Sequence, residues 1–311
     1  MPDAATTTVL PQSRFAAGPM ERRKVLVEGI AKKVMLVAAL CLIVPVLAII
    51  AYIFYKASPV LGLDYLWGVP EGGGTGGGIW PPLIGTFFLV LVSLCICAPI
   101  GIMAGIYLNE YAPDNWFTRI INMAVTSLAG VPSIVHALFG VGAFVLTFGM
   151  GESLLAASCT IAVMTIPVLI TSTREALSAV PMAFRQACWN MGATKWQTIR
   201  TIVLPNSISG ILTGVILEVS RAAGETAPIL FTGAAASIPF MADSLGDKLM
   251  PYFLGDKFMA LSYHLKVVAD KLNDVPEAMK YGTAAVLIGL IFILNSFSIV
   301  LRMYLRSRKK W

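Results

Sequence analysis

Six apolar runs limit what this chain can fold into. They occupy residues 34–55, 84–107, 120–148, 154–172, 208–231 and 283–303. A helix needs roughly 20 apolar residues to cross the hydrocarbon core of a bilayer. Each run meets that length, the fourth only narrowly. The chain is 57% apolar and 13% charged, against about 25% charged residues in a soluble domain. Lipid-facing surface explains the missing charge better than one large core does. The pattern therefore predicts an all-α membrane protein with six transmembrane helices. No segment outside the runs is large enough for a soluble enzyme domain.

The basic residues orient this threading. Cytoplasmic segments of membrane proteins carry an excess of Lys and Arg. With both termini inside, sixteen of the 23 Lys and Arg residues fall in cytoplasmic segments and six fall outside. The net charge of +6 comes from these run ends, so it points to membrane topology and not to nucleic acid. The reading divides the chain into a cytoplasmic tail over 1–33, a membrane domain over 34–305 and a short cytoplasmic tail over 306–311. The basic 1–33 segment resembles the start of a signal peptide. The run behind it is longer than the 7–15 residues of a signal core, and no small-residue cleavage site follows. It is read as an uncleaved first span.

Several local features read as structural. The run GGGTGGG at 72–78 lacks the Lys-Ser/Thr of a phosphate loop and follows no strand, so it is expected to be a flexible outer loop. Cys41, Cys95, Cys97, Cys159 and Cys188 match neither a disulfide framework nor a zinc spacing. His136 follows Pro132 and is expected to be a buried neutral histidine bonded to a carbonyl. His264 is expected on a solvated face of an outer surface helix over 257–272. The third run, 29 residues long, is interrupted by Gly130-Val131-Pro132. A proline there should kink it.

Two stretches carry function. The fifth run holds Glu218, Arg221 and Glu225, the charges placed deep in the membrane. At helical spacing Arg221 lies about 60° from Glu218, and Glu225 about 20° from Glu218. All three are expected on one face, with Arg221 able to pair with either carboxylate. Charges inside a membrane are costly and usually mark a substrate path. The Arg fork matches phosphate or carboxylate. The triad sums to −1, so an anion path needs basic help from another chain or a protonated glutamate. A cluster that only locks helices together is the alternative.

The second stretch is 173–205. It is amphipathic, carries Arg174, Arg185, Lys195 and Arg200, and is too polar for lipid. It reads as a cytoplasmic element gripped by a partner. Without a phosphate loop, a catalytic triad or a metal cluster, the chain lacks the parts to hydrolyse ATP. Energy for transport would come from that partner.

Arg185-Gln186-Ala187-Cys188, then Gly192-Ala193, then Leu204-Pro205 resembles the EAA loop of ABC importer permeases, with Gln186 in place of the Glu and Cys188 in place of the second Ala. GVILEVSRAAGETAPILFT at 214–232 is similar to the PstA-type permeases of phosphate importers, as are Gly130-Val-Pro-Ser-Ile-Val and Gly192-Ala-Thr-Lys-Trp-Gln-Thr. The resemblance implies the type I ABC importer permease fold, with coupling helices between transmembrane helices 4 and 5. It implies ATPase coupling through Gln186, Ala187, Cys188, Gly192, Ala193, Leu204 and Pro205, and a phosphate path at Arg221 and Glu225. The role of Glu218 is inferred from its position alone. The implied partners are a PstC-like sister permease, a PstB-like ATPase dimer holding ATP and Mg, a PstS-like extracytoplasmic phosphate-binding protein and a phosphate-signalling partner. No cofactor is expected on this chain. The implied location is the bacterial inner membrane. Sulfate or molybdate import, or a phosphate-sensing scaffold, are the alternative functions.

Overall fold

The computed structural model describes residues 19–72, 76–236, 254–270 and 275–307. The chain divides into two units, the first ending at Tyr52. The first unit holds most of α1 (Pro19–Ala57), a 39-residue helix containing Pro45. The helix starts well before residue 34, so the segment read as a loose tail is helical from Pro19 on. Arg14 lies outside the described residues, as do Arg308, Lys309 and Lys310 at the other end.

In the second unit, α2 (Leu63–Trp67) leads into a short hairpin of β1 (Pro70–Glu71) and β2 (Gly76–Gly77). Trp67 stacks on Trp80 with ring centroids 4.2 Å apart. Tyr65 is buried and hydrogen-bonded to Thr283 at 2.9 Å. The glycine-rich loop is thus short, with built flanks; residues 73–75 of it lie outside the described residues.

The membrane helices follow. α3 (Trp80–Ile106) opens with prolines in its first turn and runs into a π-helical turn at Tyr107–Tyr111. α4 (Trp116–Ala129) is capped by Asn115, whose Oδ1 accepts the Thr118 N–H at 2.9 Å. The chain then turns by 102° at residues 130–132 into α5 (Ser133–Gly140) and a π-helical turn to Thr147. The third run is therefore a bent pair and not a straight crossing. Pro132 removes a donor and fixes its own φ, so the break falls where the sequence placed it.

α6 (Leu154–Ser178), capped by Ser153, forms the centre of the unit. It packs on both α3 and α9 (Leu204–Gly224). These contacts use small residues, as close packing of membrane helices requires. A Cβ on Gly105 would meet Thr173, and one on Gly214 would meet Ser172, each inside contact distance. Past α9, the chain breaks at Glu225-Thr226 and resumes as α10 (Ala227–Thr232).

The stretch expected to carry a surface helix packs into the core in its described residues, 254–270. Its residues 254–260 bond to the start of α6, through Leu154 N–H to the Asp256 carbonyl and Leu155 N–H to the Leu254 carbonyl. Phe258 and Ala260 join a core with Leu89, Ile161, Val219 and Ile229. α11 (Leu261–Asp270) begins four residues later than expected and buries Leu261, His264 and Val268. Lys248 and Lys271 lie outside the described residues. α12 (Glu277–Ser307) closes the chain against α9. Among the described residues, five helices are long and apolar enough to cross a membrane, six if the bent pair counts as one span.

Candidate functional site

Between α6 and α9 the chain forms a compact two-helix element. α6 continues through Arg174 to Ser178, so that arginine belongs to the long helix; it donates to Asn122 of α4 at 2.7 Å. α7 (Met182–Asn190) starts behind Pro181. It stops at Gly192, whose φ of +81° is a left-handed conformation that an L side chain enters only at a cost. α8 (Lys195–Thr198) starts with a capping box: Thr194 Oγ1 accepts the Gln197 N–H, and Gln197 Oε1 accepts the Thr194 N–H. A π-helical turn at Ile199–Val203 then carries α8 into α9.

This element presents Phe184, Gln186, Ala187, Met191 and Trp196 to the outside, Met191 at 88% exposure. Cys188 and Ala193 are half-buried, as are Leu204 and Pro205, which form the first turn of α9. An amphipathic element with exposed aromatic and methionine side chains is suited to a protein partner.

Arg185 turns the opposite way. Its guanidinium forms a buried ion pair with Glu110 at 2.8 Å, the two side chains 8% and 6% exposed. It also donates to the carbonyls of Val180 and Leu177 at 2.5 and 3.0 Å. Asn109 donates to Glu110 and accepts from Ser178 Oγ. Glu110 escaped the sequence reading. An isolated carboxylate at the end of an apolar run was its signal, but its partner lies 75 residues on.

The charged cluster of the fifth run sits at the far end of α9. Arg221 is in the last turn, and Glu225, with extended backbone, terminates the helix. Arg221 Nε donates to Glu225 Oε1 at 3.2 Å, with the side chains 36% and 18% exposed. Ser262 of α11 donates to the Glu225 carbonyl at 3.0 Å. Ser220 donates to Asn295 of α12 at 2.6 Å.

Glu218 does not share the ion pair. It is 3% exposed, faces Ser93, Cys97 and Thr165 of α3 and α6, and its Oε2 has no hydrogen-bond partner among the described residues. Of the two carboxylates expected within reach of Arg221, the pair is with Glu225. The reason is packing: Glu218 is buried between α3, α6 and α9, while Glu225 lies one turn beyond Arg221 and within its reach.

The two histidines also depart from expectation. His136 is buried, but neither nitrogen has a partner among the described residues. His264 is 1% exposed and not solvated. It lies outside the spanning helices, and burial lowers its pKa from 6.5 to about 4. No group of three His, Cys, Asp or Glu residues that could hold a metal occurs among the described residues.

Apolar spanning helices and an amphipathic two-helix element between the fourth and fifth runs define a membrane permease of the type I ABC importer fold. A chain of the MetNI methionine ABC transporter superposes with a TM-score of 0.52 at 16% identity, covering 73% of this chain and 94% of that one. The family model for binding-protein-dependent transport system inner membrane components matches residues 98–310, and the chain belongs to that family. It is 31% identical over 270 residues to the phosphate transport system permease protein PstA 2 of Mycobacterium bovis, covering 86% of this chain and 85% of the relative. It is 40% identical over 165 residues to PstA of Mycobacterium leprae, covering 53% and 54%. The chain thus spans about half the length of that second relative.

Proposed function

We propose that this chain is the permease subunit of an ATP-driven importer of inorganic phosphate, forming half of the translocation pore. The observation that carries the reading is the Arg221 guanidinium at the end of α9. It is partly exposed and engages Glu225 through Nε alone among the described residues. The rest of its donor fork is open to a tetrahedral oxyanion. Glu225 neutralises the arginine in the absence of cargo, and an incoming phosphate competes for the same donors. With Glu218 outside the pair, the exposed part of the cluster is neutral and no longer negative. The similarity to phosphate transport permeases supports this choice of cargo.

In this reading α7 and α8 lie on the cytoplasmic side and are gripped by a partner ATPase dimer, which holds ATP and Mg. Gln186, Ala187 and Met191 are on the open face of that grip. Both chain termini are then cytoplasmic. A sister permease completes the pore, and a phosphate-binding protein delivers cargo at the 254–270 side. The test is ATP-dependent uptake of radiolabelled phosphate by vesicles containing the full complex. Arg221→Gln should lower uptake about tenfold or more while the complex still assembles. Normal uptake by that variant removes Arg221 from the path. Stronger competition by sulfate or molybdate than by unlabelled phosphate would reassign the cargo.

A further inference from the structure

The 173–205 element is joined to the membrane helices in two different ways. At its α8 end the join is continuous helix: the turn at Ile199–Val203 runs into α9, which carries Arg221. At its α7 end residues 179–181 link it to α6, and a polar contact adds to that link. Arg185 holds together α7, the last turn of α6 and the turn that ends α3. Between the two ends stands Gly192, with φ +81° and nothing within 4 Å of the position a Cβ would take, so the backbone there is a bare turn.

We propose that the Arg185–Glu110 pair is the joint that makes α3 and α6 follow movement of the coupling element, so that they open together with α9. The proposal rests on the reading of α7 and α8 as the part gripped by an ATPase. The guanidinium places donors on both Glu110 oxygens, at 3.4 and 2.8 Å, and on two carbonyls at the end of α6. The Leu177 carbonyl belongs to the negative pole of the α6 dipole, which a cation completes, and Val180 lies just past the helix. Sliding α7 would break these bonds together and leave a buried charge unpaired, which a low-dielectric interior penalises heavily. Rotation of α7 therefore carries both helix ends with it. Without the pair, force still reaches α9 through its continuous helix, but α3 loses its tie to α7 and α6 keeps only the short 179–181 link. Their contacts with each other and with α9 run through Gly105, Thr173, Gly214 and Ser172, so helices that move out of step would no longer open one coordinated path. Arg185 and Glu110 are positioning residues; neither touches cargo.

The experiment uses the whole complex (ATPase, sister permease and phosphate-binding protein) in vesicles, and reads phosphate taken up per ATP hydrolysed. Glu110→Gln keeps the shape and removes the charge. It should retain the ATPase on co-purification and hydrolyse ATP within about twofold of wild type. Phosphate moved per ATP should fall about tenfold or more, the scale of losing one charge-assisted hydrogen bond. An unchanged ratio overturns the proposal. So does a fall in uptake and hydrolysis together, in step with less assembled complex, since that marks a folding brace. Where Glu110→Gln does not accumulate, Asn109→Ala at the rim must lower the same ratio in milder form, and an unchanged ratio there also overturns it. A wild-type complex that moves no phosphate with ATP removes the transport reading itself, and the joint with it. A deficit confined to the variant tests the joint alone.

Discussion

Two Arg–Glu pairs serve opposite ends of this molecule. Arg185–Glu110 is closed: both side chains are under a tenth exposed, and the guanidinium spends its donors on a carboxylate and two carbonyls. Arg221–Glu225 is open: one donor is engaged, and the arginine is 36% exposed. The chemistry is the same and the surroundings differ. A pair whose donors are saturated and dry resists being parted, because parting strands a charge. A pair with spare donors and water at hand exchanges partners cheaply. The first suits a rigid connection, and the second suits transient binding of an anion.

This contrast can be broken most directly at the closed pair. Arg185→Ala should cost about 3–5 kcal/mol, the usual penalty for removing one partner of a buried pair, read as loss of thermal stability in detergent. A change below about 1 kcal/mol would mean that the pair is as replaceable as a surface one.

Acid should act next, and selectively near the open pair. Native His264 titrates near 4, against 6.5 when unfolded. Between these values the unfolded chain binds the extra proton. Stability is therefore unaffected above pH 7, falls as pH drops through 6.5, and reaches its full loss below about 4. At about 1.4 kcal/mol per pKa unit, the loss is on the order of 3 kcal/mol. His264→Leu should flatten this slope. Because Ser262 on the same helix holds the Glu225 carbonyl, hydrogen exchange should rise there before it rises at Arg185. An unaltered slope in the leucine variant would assign the acid response elsewhere.

Arg221→Gln should lower phosphate uptake about tenfold or more while shifting stability by less than about 1 kcal/mol. Arg221→Lys keeps the charge but loses the fork and should recover little of the uptake. A fully active lysine variant would show that charge alone suffices at the open pair.

Gly192→Ala should cost about 1–2 kcal/mol through its left-handed backbone alone, since no neighbour crowds the site. Its measure is weaker ATPase co-purification. The exposed Lys266–Asp270 pair is the floor of the series: Asp270→Asn should shift stability by no more than about 0.5 kcal/mol.

Much of this was legible beforehand, and particular residues show where legibility stops. The break at Gly130-Val131-Pro132 is local backbone chemistry, and the structure turns there by 102°. The turn at Gly192 is equally local. Glu225 illustrates the limit: helical geometry placed it on one face with Glu218, but the helix ends at Gly224 and only Glu225 takes the ion pair with Arg221. His264 looked like one polar residue on a polar helix face. Its burial comes from packing of α11 against α3 and α12, elements far from it in the chain.

The amino-acid order alone determined how many segments can enter a membrane, where the third of them breaks, and which stretch between the fourth and fifth is too polar to enter. Those properties are sums over neighbouring residues, of transfer free energy and of backbone freedom. Which arginine is closed and which is open was settled only in three dimensions. Glu110 and Arg185 are 75 residues apart, and a charge's partners and access to water depend on which helices pack around it.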